Sequence, residues 1–587
     1  MERNEFFCSV KLAKLFFLWY SPIRENTIFK AANYKFLLPL VLAVLIGIIV
    51  SFAVQGFISF VSFVESYLRG DEHLLLGLPK ELLVISGPII AGIIVSIIFK
   101  LANLDRWHGP ADSILAAHLP SQRPNTEAGL LSTLASAISI SGGASVGQYG
   151  PLVHFGGVLG DYFSKLTRDQ TSPHILLACG AAAAVSSGFG APFAGLVFAH
   201  EVIVRHFSLK AVAPILISSI VAHTFSREMY SYEPLFQISI GGISNFYEIF
   251  PLALLGVLAG LIAALYMRGL TGKLPIPKQI PTYLLPIIAG IICGITGLFL
   301  PETLGLGTNF IRNIIENPIS IDYVFLLLLG KLFLTVVCIR LFLFGGIFSP
   351  ALFIGVSLGC IFVAFFNQII PDLNYSLFVV AGMAAVTSCV IGGPISTLLI
   401  VFELTSDYQV ALGAGISVCF SNLISSKIYG HSAFDQMLLN RNIDLRLGRD
   451  NLHLKSISIS SIYNKNYIRL APEHKVEEMI KILSESENSD GYIISPKGVL
   501  LGKVFLPKLL LIENKLLPPD KNLFTNFLSL NENQNILEAI DLIKDFVGES
   551  VPVVDNHNNI IGIVTESDLF NQLLIAENIR KKEELSD

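Results

Sequence analysis

The sequence predicts an all-α polytopic membrane domain built from two repeats with broken, re-entrant helices, followed by a cytosolic α/β tandem module. Three observations predict this fold class. The 587-residue chain is 52% hydrophobic and only 14% charged, whereas soluble domains contain about 25% charged residues. Two stretches of its apolar region repeat one another, and the composition becomes polar after Arg441. We therefore expect a multi-pass protein of the plasma (inner) membrane.

Five apolar runs are long enough, or nearly so, to cross a hydrocarbon core of about 30 Å. They are Phe36–Val54, Leu82–Phe99, Pro251–Met267, Tyr283–Leu300 and Tyr323–Val337. Other apolar runs are shorter and are interrupted by glycine and proline. They are Leu131–Ile140, Pro151–Phe163, Ile175–Phe189, Pro350–Phe366 and Pro394–Phe402. Lipid tolerates such breaks only where the backbone is buried in protein or lines a watery cavity, so they predict a transport pathway.

Both ends of the chain are expected in the cytoplasm. Residues 1–35 carry six basic and three acidic residues, and the positive-inside rule places such a segment in the cytoplasm. The first long apolar run starts too late for a signal peptide and lacks a small-residue cleavage site. The polar tail places the C-terminus inside as well, which requires an even number of crossings. The seven cysteines are scattered singly and form no metal-binding or disulfide pattern.

Two pairs of segments repeat in the same order along the chain. "GAAAAVSSGFGAPFAGLVFAHE" (180–201) matches "GMAAVTSCVIGGPISTLLIVFE" (382–403) at eight positions, with a constant offset of 202 and no gap. "PLVHFGGVLG" (151–160) matches "PALFIGVSLG" (350–359) at an offset of 199. The preserved order indicates a duplication whose halves we expect to be inverted. Transporters built in this way bind their substrate where the broken helices of the two halves meet.

Composition divides the chain into segments with different expected roles. They are a cytoplasmic N-terminal segment (1–35), a transmembrane domain (36–441) with halves at about 36–227 and 247–428, a first tail unit (455–512), a second tail unit (513–576) and a charged tail (577–587). Each tail unit contains a helix-like stretch, a β-rich strand, a polar turn, a second strand and a closing helix. The helix-like stretches are Val476–Leu483 and Ile536–Phe546.

Three breaks in the apolar region place a helix start inside the membrane. They are "GGASVGQYGP" (142–151), "GGIFSP" (345–350) and "WHGPADS" (107–113). A helix start presents unpaired N–H groups and the positive end of the helix dipole, which suit an anion. A site of amides and hydroxyls would bind a halide weakly enough to release it. The alternative is that glycine and proline only permit close helix packing.

These segments resemble the CLC family of chloride channels and proton/chloride exchangers. The matches include "GGASVGQYGPLVH", "GGIFSP", "GAPFAGLVFAHEV" and "GGPISTLLIVFELTSDYQ", and the tail resembles the paired CBS domains of many family members. The resemblance implies a homodimer in the lipid bilayer, with one chloride pore in each subunit lined by helix starts from both halves. It implies no required cofactor and no nucleic-acid partner.

The resemblance also assigns anion-site residues by position. The filter amides would be those of Gln148, Tyr149, Gly150, Ile347 and Phe348. The family's central serine falls at His108, which could instead be a satisfied helix-end residue. Because the spacing is loose, the contact could come from Gly109, Pro110 or Ser113. The family's central tyrosine falls at Phe434, which would remove a hydroxyl, and Tyr429 is a nearby alternative.

The acids that carry protons in the family's exchangers are replaced here. The external gating glutamate of the family falls at Tyr149, and the inner proton glutamate falls at Val202. Free tyrosine has a pKa of about 10, so it does not exchange protons at neutral pH. The sequence therefore predicts a chloride-selective channel that conducts passively. Glu201 and Glu403 hold matching places in the two halves and are expected to bond to backbone.

Two other functions are weighed against the channel. One is a proton-coupled chloride exchanger that uses another acid, such as Glu201 or Asp112. The other is a CBS-regulated cation transporter, which would need membrane carboxylates, yet no cluster of them stands at the breaks. An enzyme is not expected, because no nucleophile–base pair or metal cluster is apparent.

The second tail unit contains a candidate nucleotide site. Its "GIVTESDL" segment (562–569) keeps a Thr-x-x-Asp pattern that resembles a ribose and phosphate contact, which makes Thr565 and Asp568 candidates for an adenosine nucleotide. The first unit has Phe505 and Lys508 at these places, so one of two sites would be degenerate. The alternative is a structural, dimerising tail.

Overall fold

The computed structural model describes residues 27–69, 79–119, 122–230, 242–243, 245–272, 279–316, 319–486, 488–513, 515–516, 518–519, 524, 527–546 and 548–586. Residues 1–26 of the predicted N-terminal segment lie outside this set. The described residues of the first half of the membrane domain form eight α-helices. They are α1 (Thr27–Arg69), α2 (Lys80–Leu101), α3 (Pro110–His118), α4 (Thr126–Gly142), α5 (Tyr149–Leu166), α6 (Pro173–Phe189), α7 (Pro192–Phe198) and α8 (Leu209–Tyr230). A π-helical turn, Ala199–Val204, continues α7.

The second half and the following linker contain ten more described α-helices. They are α9 (Ile249–Thr271), α10 (Leu285–Phe299), α11 (Thr308–Glu316), α12 (Ile321–Arg340), α13 (Phe348–Phe366), α14 (Tyr375–Ile391), α15 (Pro394–Thr405), α16 (Tyr408–Ile428), α17 (Ala433–Leu439) and α18 (Gly448–Ser456). Within the described residues, eight helices are long and apolar enough to cross a membrane. The five long runs predicted from sequence all fall in this group. The predicted all-α polytopic domain is therefore confirmed.

The structure also confirms the repeat, helix by helix. Helices α6 and α14 span equivalent residues at the offset of 202, and each ends at a left-handed glycine, Gly190 (φ 69°) and Gly392 (φ 77°). These φ values favour glycine because a Cβ would clash with the backbone. Helices α5 and α13 start at equivalent residues at the offset of 199. The duplicated segments thus fold in the same way in both halves.

Glycines inside the repeated helices serve close packing. A Cβ on Gly180 of α6 would lie 1.8 Å from the carbonyl oxygen of Gly156 on α5. At the equivalent crossing, a Cβ on Gly382 of α14 would lie 2.6 Å from the carbonyl oxygen of Gly355 on α13. These four glycines allow the close helix crossings. Helix α13 is therefore buried among other helices, and 83% of its most apolar 18-residue stretch lies inside the protein.

The tail is α/β, as predicted. Its first unit has the sheet order β1 (Ile468–Leu470), β2 (Asp490–Ile494), β3 (Leu500–Phe505), and its second has β4 (Leu530–Asn531), β5 (Ser550–Val554), β6 (Ile560–Thr565). In both units the first pair of strands is parallel and the second is antiparallel. The tail helices are α19 (Val476–Ser484), α20 (Leu506–Leu510), α21 (Ile536–Ile543) and α22 (Glu566–Ser586).

A buried polar contact joins the two tail units. Asp490 of β2 accepts hydrogen bonds from the backbone N–H of Ser550 (3.0 Å) and from its hydroxyl (2.9 Å). Lys503 pairs with the same carboxylate at 2.7 Å. The hydroxyl of Tyr492 lies 2.6 Å from that of Ser550, and burial raises the pKa of Tyr492. Because buried polar groups need partners, this contact fixes the units against one another.

Candidate anion-binding site

The glycine-rich breaks of the two halves meet through two backbone hydrogen bonds. The N–H of Gly147 donates to the carbonyl of Gly346 (2.6 Å), and the N–H of Gly346 donates to the carbonyl of Gly147 (2.5 Å). A Cβ on Gly346 would lie 2.9 Å from the amide nitrogen of Gly150. Only glycine permits so close an approach. The pairing brings the starts of α5 and α13 side by side.

A third helix start, that of α3, reaches the same place. One small cavity is lined by side chains or backbone of all three starts, together with residues of α6, α7 and α17. The lining residues are Pro110, Tyr149, Gly150, Val153, Val185, Phe189, Phe198, Ile347, Phe348 and Phe434. The cavity volume is about 10 Å³, which is room for about one water molecule. The first N–H groups of a helix lack intrahelical acceptors, so this cavity faces a source of anion donors.

Three aromatic rings pack against one another at this meeting point. The Tyr149 ring lies 3.7 Å from the Phe189 ring, centroid to centroid, with 20° between the planes. Phe348 packs edge-on to Tyr149 at 5.4 Å and lies 4.9 Å from Phe189. Tyr149 is only 4% exposed. Gly188 provides the space for this stack, because a Cβ there would lie 3.1 Å from the Tyr149 ring.

The structure brings together five of the predicted site residues and leaves three outside the cavity lining. Tyr149, Gly150, Ile347, Phe348 and Phe434 all line the cavity. Gln148 is buried, and its Oε1 atom has no hydrogen-bond partner among the described residues. His108 and Gly109 belong to the cap of α3.

Backbone groups at the start of α3 are already engaged. The N–H of His108 donates to the Ser132 hydroxyl (2.9 Å), and the N–H of Gly109 donates to Asp112 Oδ2 (2.9 Å). The helix-end interpretation therefore fits His108, and Pro110 is the residue of this segment that reaches the cavity. Ser113 turns elsewhere, with its hydroxyl 2.8 Å from Nδ1 of the buried His154.

Phe434 and Tyr429 occupy different environments. Phe434 lies in the first turn of α17 and lines the cavity. The Tyr429 hydroxyl instead hydrogen-bonds to the Thr271 hydroxyl and donates to the carbonyl of Met267 (3.3 Å). Of the two alternatives for the central aromatic residue, Phe434 is thus the one next to the predicted filter amides.

The three membrane carboxylates singled out from the sequence are all held by fixed partners. Glu201 accepts from the N–H groups of Ile395 (3.0 Å) and Ser396 (2.7 Å) at the start of α15. Glu403 accepts from the N–H groups of Phe193 (3.0 Å) and Ala194 (2.7 Å) at the start of α7. The predicted bonding of both glutamates to backbone is confirmed, and each half caps a helix of the other.

Asp112 lies in a cluster of opposite charges at the start of α3. Arg106 donates to both of its carboxylate oxygens (2.5 and 2.9 Å), and Arg441 donates to Oδ1 at 2.7 Å. Such charge-assisted bonds are stronger than neutral ones. Val202, at the position expected for the inner acid, is 1% exposed among apolar side chains.

Phe189 and Phe198 are cavity residues that the sequence analysis missed. Phe189 is the last residue of α6, and its equivalent in the second half is Ile391 of α14. Because the repeat places no aromatic residue at that equivalent position, the duplication gave no signal for it. Only the fold shows that the end of α6 reaches the start of α5.

Comparison with known proteins agrees with this architecture. A family model described as "Voltage gated chloride channel" matches residues 89–426, which is more than half of the chain. The chain belongs to the voltage-gated chloride channel family. A model described as "CBS domain" matches residues 523–575, the second unit of the tail. This member is therefore a multi-pass membrane protein of an anion-transporting family with a C-terminal CBS region.

The proteins similar to this chain include one named as a chloride channel and one described as a Cl⁻/H⁺ antiporter. The "Voltage-gated ClC-type chloride channel ClcB" of Escherichia coli is 26% identical over 417 residues, covering 68% of this chain and 98% of the relative. Solved structures show the same fold. A slow cyanobacterial Cl⁻/H⁺ antiporter (TM-score 0.61, 23% identity) covers 69% of this chain and 97% of its own, and a eukaryotic CLC transporter (TM-score 0.61, 18% identity) covers 91% and 98%.

The candidate nucleotide residues form a helix cap. The backbone N–H of Thr565 (2.9 Å) and its hydroxyl (2.7 Å) both donate to Asp568 Oδ2, and the N–H of Asp568 donates to the Thr565 hydroxyl (3.2 Å). This is the reciprocal capping box expected at the start of a helix, here α22. The cap accounts for the Thr-x-x-Asp pattern structurally, and a nucleotide contact at these residues stays a prediction.

Proposed function

We propose that this protein is a chloride channel that conducts passively and is uncoupled from protons, with Tyr149 in the place of the family's gating glutamate. One observation carries the proposal. Among the described residues that line the cavity where the three helix starts meet, none has a carboxylate. Proton exchange at this site would need a group that alternates between binding a proton and yielding to the anion. Tyr149, the one lining residue with an ionisable side chain, has too high an intrinsic pKa for that role.

The engaged carboxylates support the same proposal against a proton-coupled exchanger. Glu201 would have to give up the N–H groups of Ile395 and Ser396 to take a proton, and Asp112 would have to leave Arg106 and Arg441. Hydrogen bonds to charged groups contribute about 1.5–3 kcal/mol each, and protonation would weaken several of them at once. Neither acid is therefore suited to cycling between protonated and charged states during transport.

A cation pathway is disfavoured by the chemistry of the cavity. Divalent cations bind to oxygen ligands, mainly carboxylates and carbonyls. The cavity instead receives three helix N-termini and apolar or aromatic side chains. The partial positive charge of the helix starts repels a cation and attracts an anion. This supports anion conduction over the CBS-regulated cation transporter.

We also propose that the aromatic stack is the gate. The Tyr149 ring, stacked on Phe189 and packed edge-on against Phe348, lies in the cavity lining where the three helix starts meet. Conduction would therefore require Tyr149 to leave Phe189, a ring movement that needs no protonation. The stack is worth about 0.5–1.5 kcal/mol beyond its area burial, which thermal motion can overcome.

Three further expectations remain part of the proposal: assembly as a homodimer, a plasma-membrane location with both termini in the cytoplasm, and binding of an adenosine nucleotide at Thr565 and Asp568. Titration of the full-length dimer with ATP, in the wild type and in Asp568→Ala, tests the last of these. Equal heats in the two proteins would contradict a nucleotide contact at Asp568.

Proteoliposomes provide the direct test of uncoupling. With purified protein in vesicles and a chloride gradient imposed, we expect chloride flux without uphill proton movement, followed by a pH-sensitive dye. Protein-free vesicles with the same gradient are the control. Reproducible proton pumping driven by chloride would contradict the channel and favour the exchanger.

A further inference from the structure

Two cysteines that are far apart in the sequence face one another inside the membrane domain. Cys293 lies on α10 and Cys338 on α12, and their sulfur atoms are 3.2 Å apart. Both side chains are fully buried. Their positions, 45 residues apart, gave no pattern in the sequence, because the pair arises only when α10 packs against α12.

The sulfur pair touches the segment that leads into the anion site. Cys293 and Cys338 belong to the same buried apolar cluster as Ala144 and Val146, the two neighbours of Ser145. The Ser145 hydroxyl also lies 3.4 Å from that of Thr335, three residues before Cys338 on α12. Ser145 precedes by two residues Gly147, whose backbone pairs with the second half at the anion site. A change at the sulfurs is thus transmitted to the segment 145–150 over a few bonds.

A buried cation lies on the same helix as Cys338, seven residues before it. Lys331 is fully buried, and its ammonium group donates to the carbonyls of Thr303 (3.0 Å) and Gly305 (2.7 Å). Lys331 therefore fixes α12, the helix that carries Cys338, to the segment 303–305.

We propose that Cys293 and Cys338 form a reversible dithiol–disulfide site that controls the segment 145–150. Each thiol gives up its proton, a single sulfur–sulfur bond forms, and two electrons and two protons pass to an oxidant. Because the pair is buried in an apolar region, the oxidant is a lipid-soluble quinone, which is reduced to its hydroquinone. The sulfur separation shortens from 3.2 Å to about 2.05 Å.

The shortening has a structural consequence for the anion site. It draws α10 towards α12 and moves the Thr335 hydroxyl of α12, which lies 3.4 Å from the Ser145 hydroxyl. The segment 145–150 then shifts relative to Gly346, so the oxidised form conducts less chloride. This consequence rests on the anion site proposed above, whereas formation of the disulfide does not.

Counting thiols tests the site itself. The full-length protein in liposomes is treated with a fully substituted ubiquinone analogue, unfolded in detergent and labelled with a maleimide polymer that reports each free thiol as a gel shift. The reduced chain has seven cysteines, so we expect seven labels before oxidation, five after it, and seven again after reduction. A count that stays at seven would overturn the proposal.

Single variants identify the pair. Cys293→Ala and Cys338→Ala should each give six labels with and without the quinone, and having both variants guards against one that fails to fold. Cys389→Ala, which removes another buried cysteine, is the matched control and should fall from six labels to four. Loss of two labels in either Cys293→Ala or Cys338→Ala would show that other cysteines react and would overturn the proposal.

Measurements of chloride flux test whether the Cys293–Cys338 disulfide, once formed, changes conduction. In the wild type and in Cys389→Ala, we expect the quinone to lower the flux and a reductant to restore it, while flux in Cys293→Ala is unaffected. If two labels are lost but the flux is unchanged, the disulfide forms and its control of the segment 145–150 is wrong. A failure of the proton-uncoupling test would leave the thiol count unaffected, so the two proposals fail separately.

Discussion

The two halves of the membrane domain are alike in their scaffold and differ at the cavity between them. Glu201 and Glu403 cap each other's helices with nearly the same distances, and Gly180 and Gly382 lie at equivalent helix crossings. At the start of the re-entrant helix, however, one half has Tyr149 and the other has Phe348. Duplication preserved the residues that hold the fold, and the proposed gate arises where the halves diverged.

The largest effect on folding is expected from substitutions of the glycines at the helix crossings. They test whether the equivalent helices of the two halves pack equally closely. Gly180→Ala places a Cβ 1.8 Å from the carbonyl oxygen of Gly156, and only backbone movement relieves this. Overpacking usually costs about 1–3 kcal/mol, and a clash with backbone costs more. We expect Gly180→Ala to abolish folded protein in size-exclusion chromatography.

The same experiment has a graded comparison and a control. Gly382→Ala meets its neighbour at 2.6 Å and should be less damaging. Gly56→Ala, which has nothing within 4 Å, should be purified normally. Equal yields for Gly180→Ala and Gly56→Ala would contradict the close crossing of α5 and α6.

The next effect concerns the two glutamate caps. Glu201 accepts three hydrogen bonds, two from N–H groups and one from the Ser396 hydroxyl (2.8 Å), whereas Glu403 accepts two. Hydrogen bonds to charged groups are worth about 1.5–3 kcal/mol. We expect both alanine variants to unfold at lower temperature, with Glu201→Ala the lower of the two. Transport that stays uncoupled from protons in both variants would support a structural role for the two glutamates. The reverse order of melting temperatures would contradict the larger contribution of the Glu201 cap.

At Tyr149, where the two halves differ, a smaller change in free energy is expected to alter the chloride flux. Tyr149→Ala removes a stack worth about 0.5–1.5 kcal/mol, which corresponds to about a two- to tenfold change in the ratio of open to closed gate. We expect chloride flux to rise by that factor in vesicles. Tyr149→Phe, which keeps the ring, is the control and should stay within about twofold of the wild type. A lower flux in Tyr149→Ala would show that the ring does not close the cavity.

A carboxylate at the same position should introduce a pH dependence that the wild type lacks. In Tyr149→Glu the charged side chain competes with the anion for the helix starts, and protonation ends the competition. Glutamate has an ordinary pKa of about 4.3, so flux should rise as the pH falls through that region. A chloride flux that is independent of pH between about 4 and 7.5 would show that Tyr149 is not part of the gate.

The smallest effect lies outside the membrane, in the linker to the tail. Hydrogen bonds from Arg446 lower the pKa of Asp444 to about 2. A lowered pKa stabilises the fold above the unfolded value of about 3.8, and this contribution is lost as the pH falls towards 2. Because the Arg446 side chain is largely exposed to solvent, the contribution of this pair to stability is small. We expect Asp444→Asn to melt slightly lower than the wild type at pH 7, with the difference vanishing near pH 2; a difference that grows on acidification would contradict this.

Much of the fold was predictable because it follows from local patterns. Apolar length predicted the long helices, and the constant offset of 202 predicted that α6 and α14 correspond. The bonding of Glu201 and Glu403 to backbone also followed from the repeat. These features depend on residues that are near in sequence or related by duplication.

The cavity was only partly predictable, because its walls come from segments that no sequence pattern connects. Motif position found Tyr149, Phe348 and Phe434. It did not find Phe189, whose counterpart in the repeat is Ile391, or the meeting of Cys293 with Cys338. Loose spacing at the third break left Pro110 as one alternative among several, and only packing placed it at the cavity. Such contacts depend on how helices cross, which sequence spacing does not specify.

The central claim is that chloride moves through this protein without protons, and the reversal potential under combined chloride and pH gradients tests it most directly. Purified protein in planar bilayers is exposed to a fixed chloride gradient while the pH on one side is changed. Passive chloride conduction gives a reversal potential equal to the chloride equilibrium potential at every pH difference. A reversal potential that shifts systematically with the pH gradient would show coupled exchange and contradict the account.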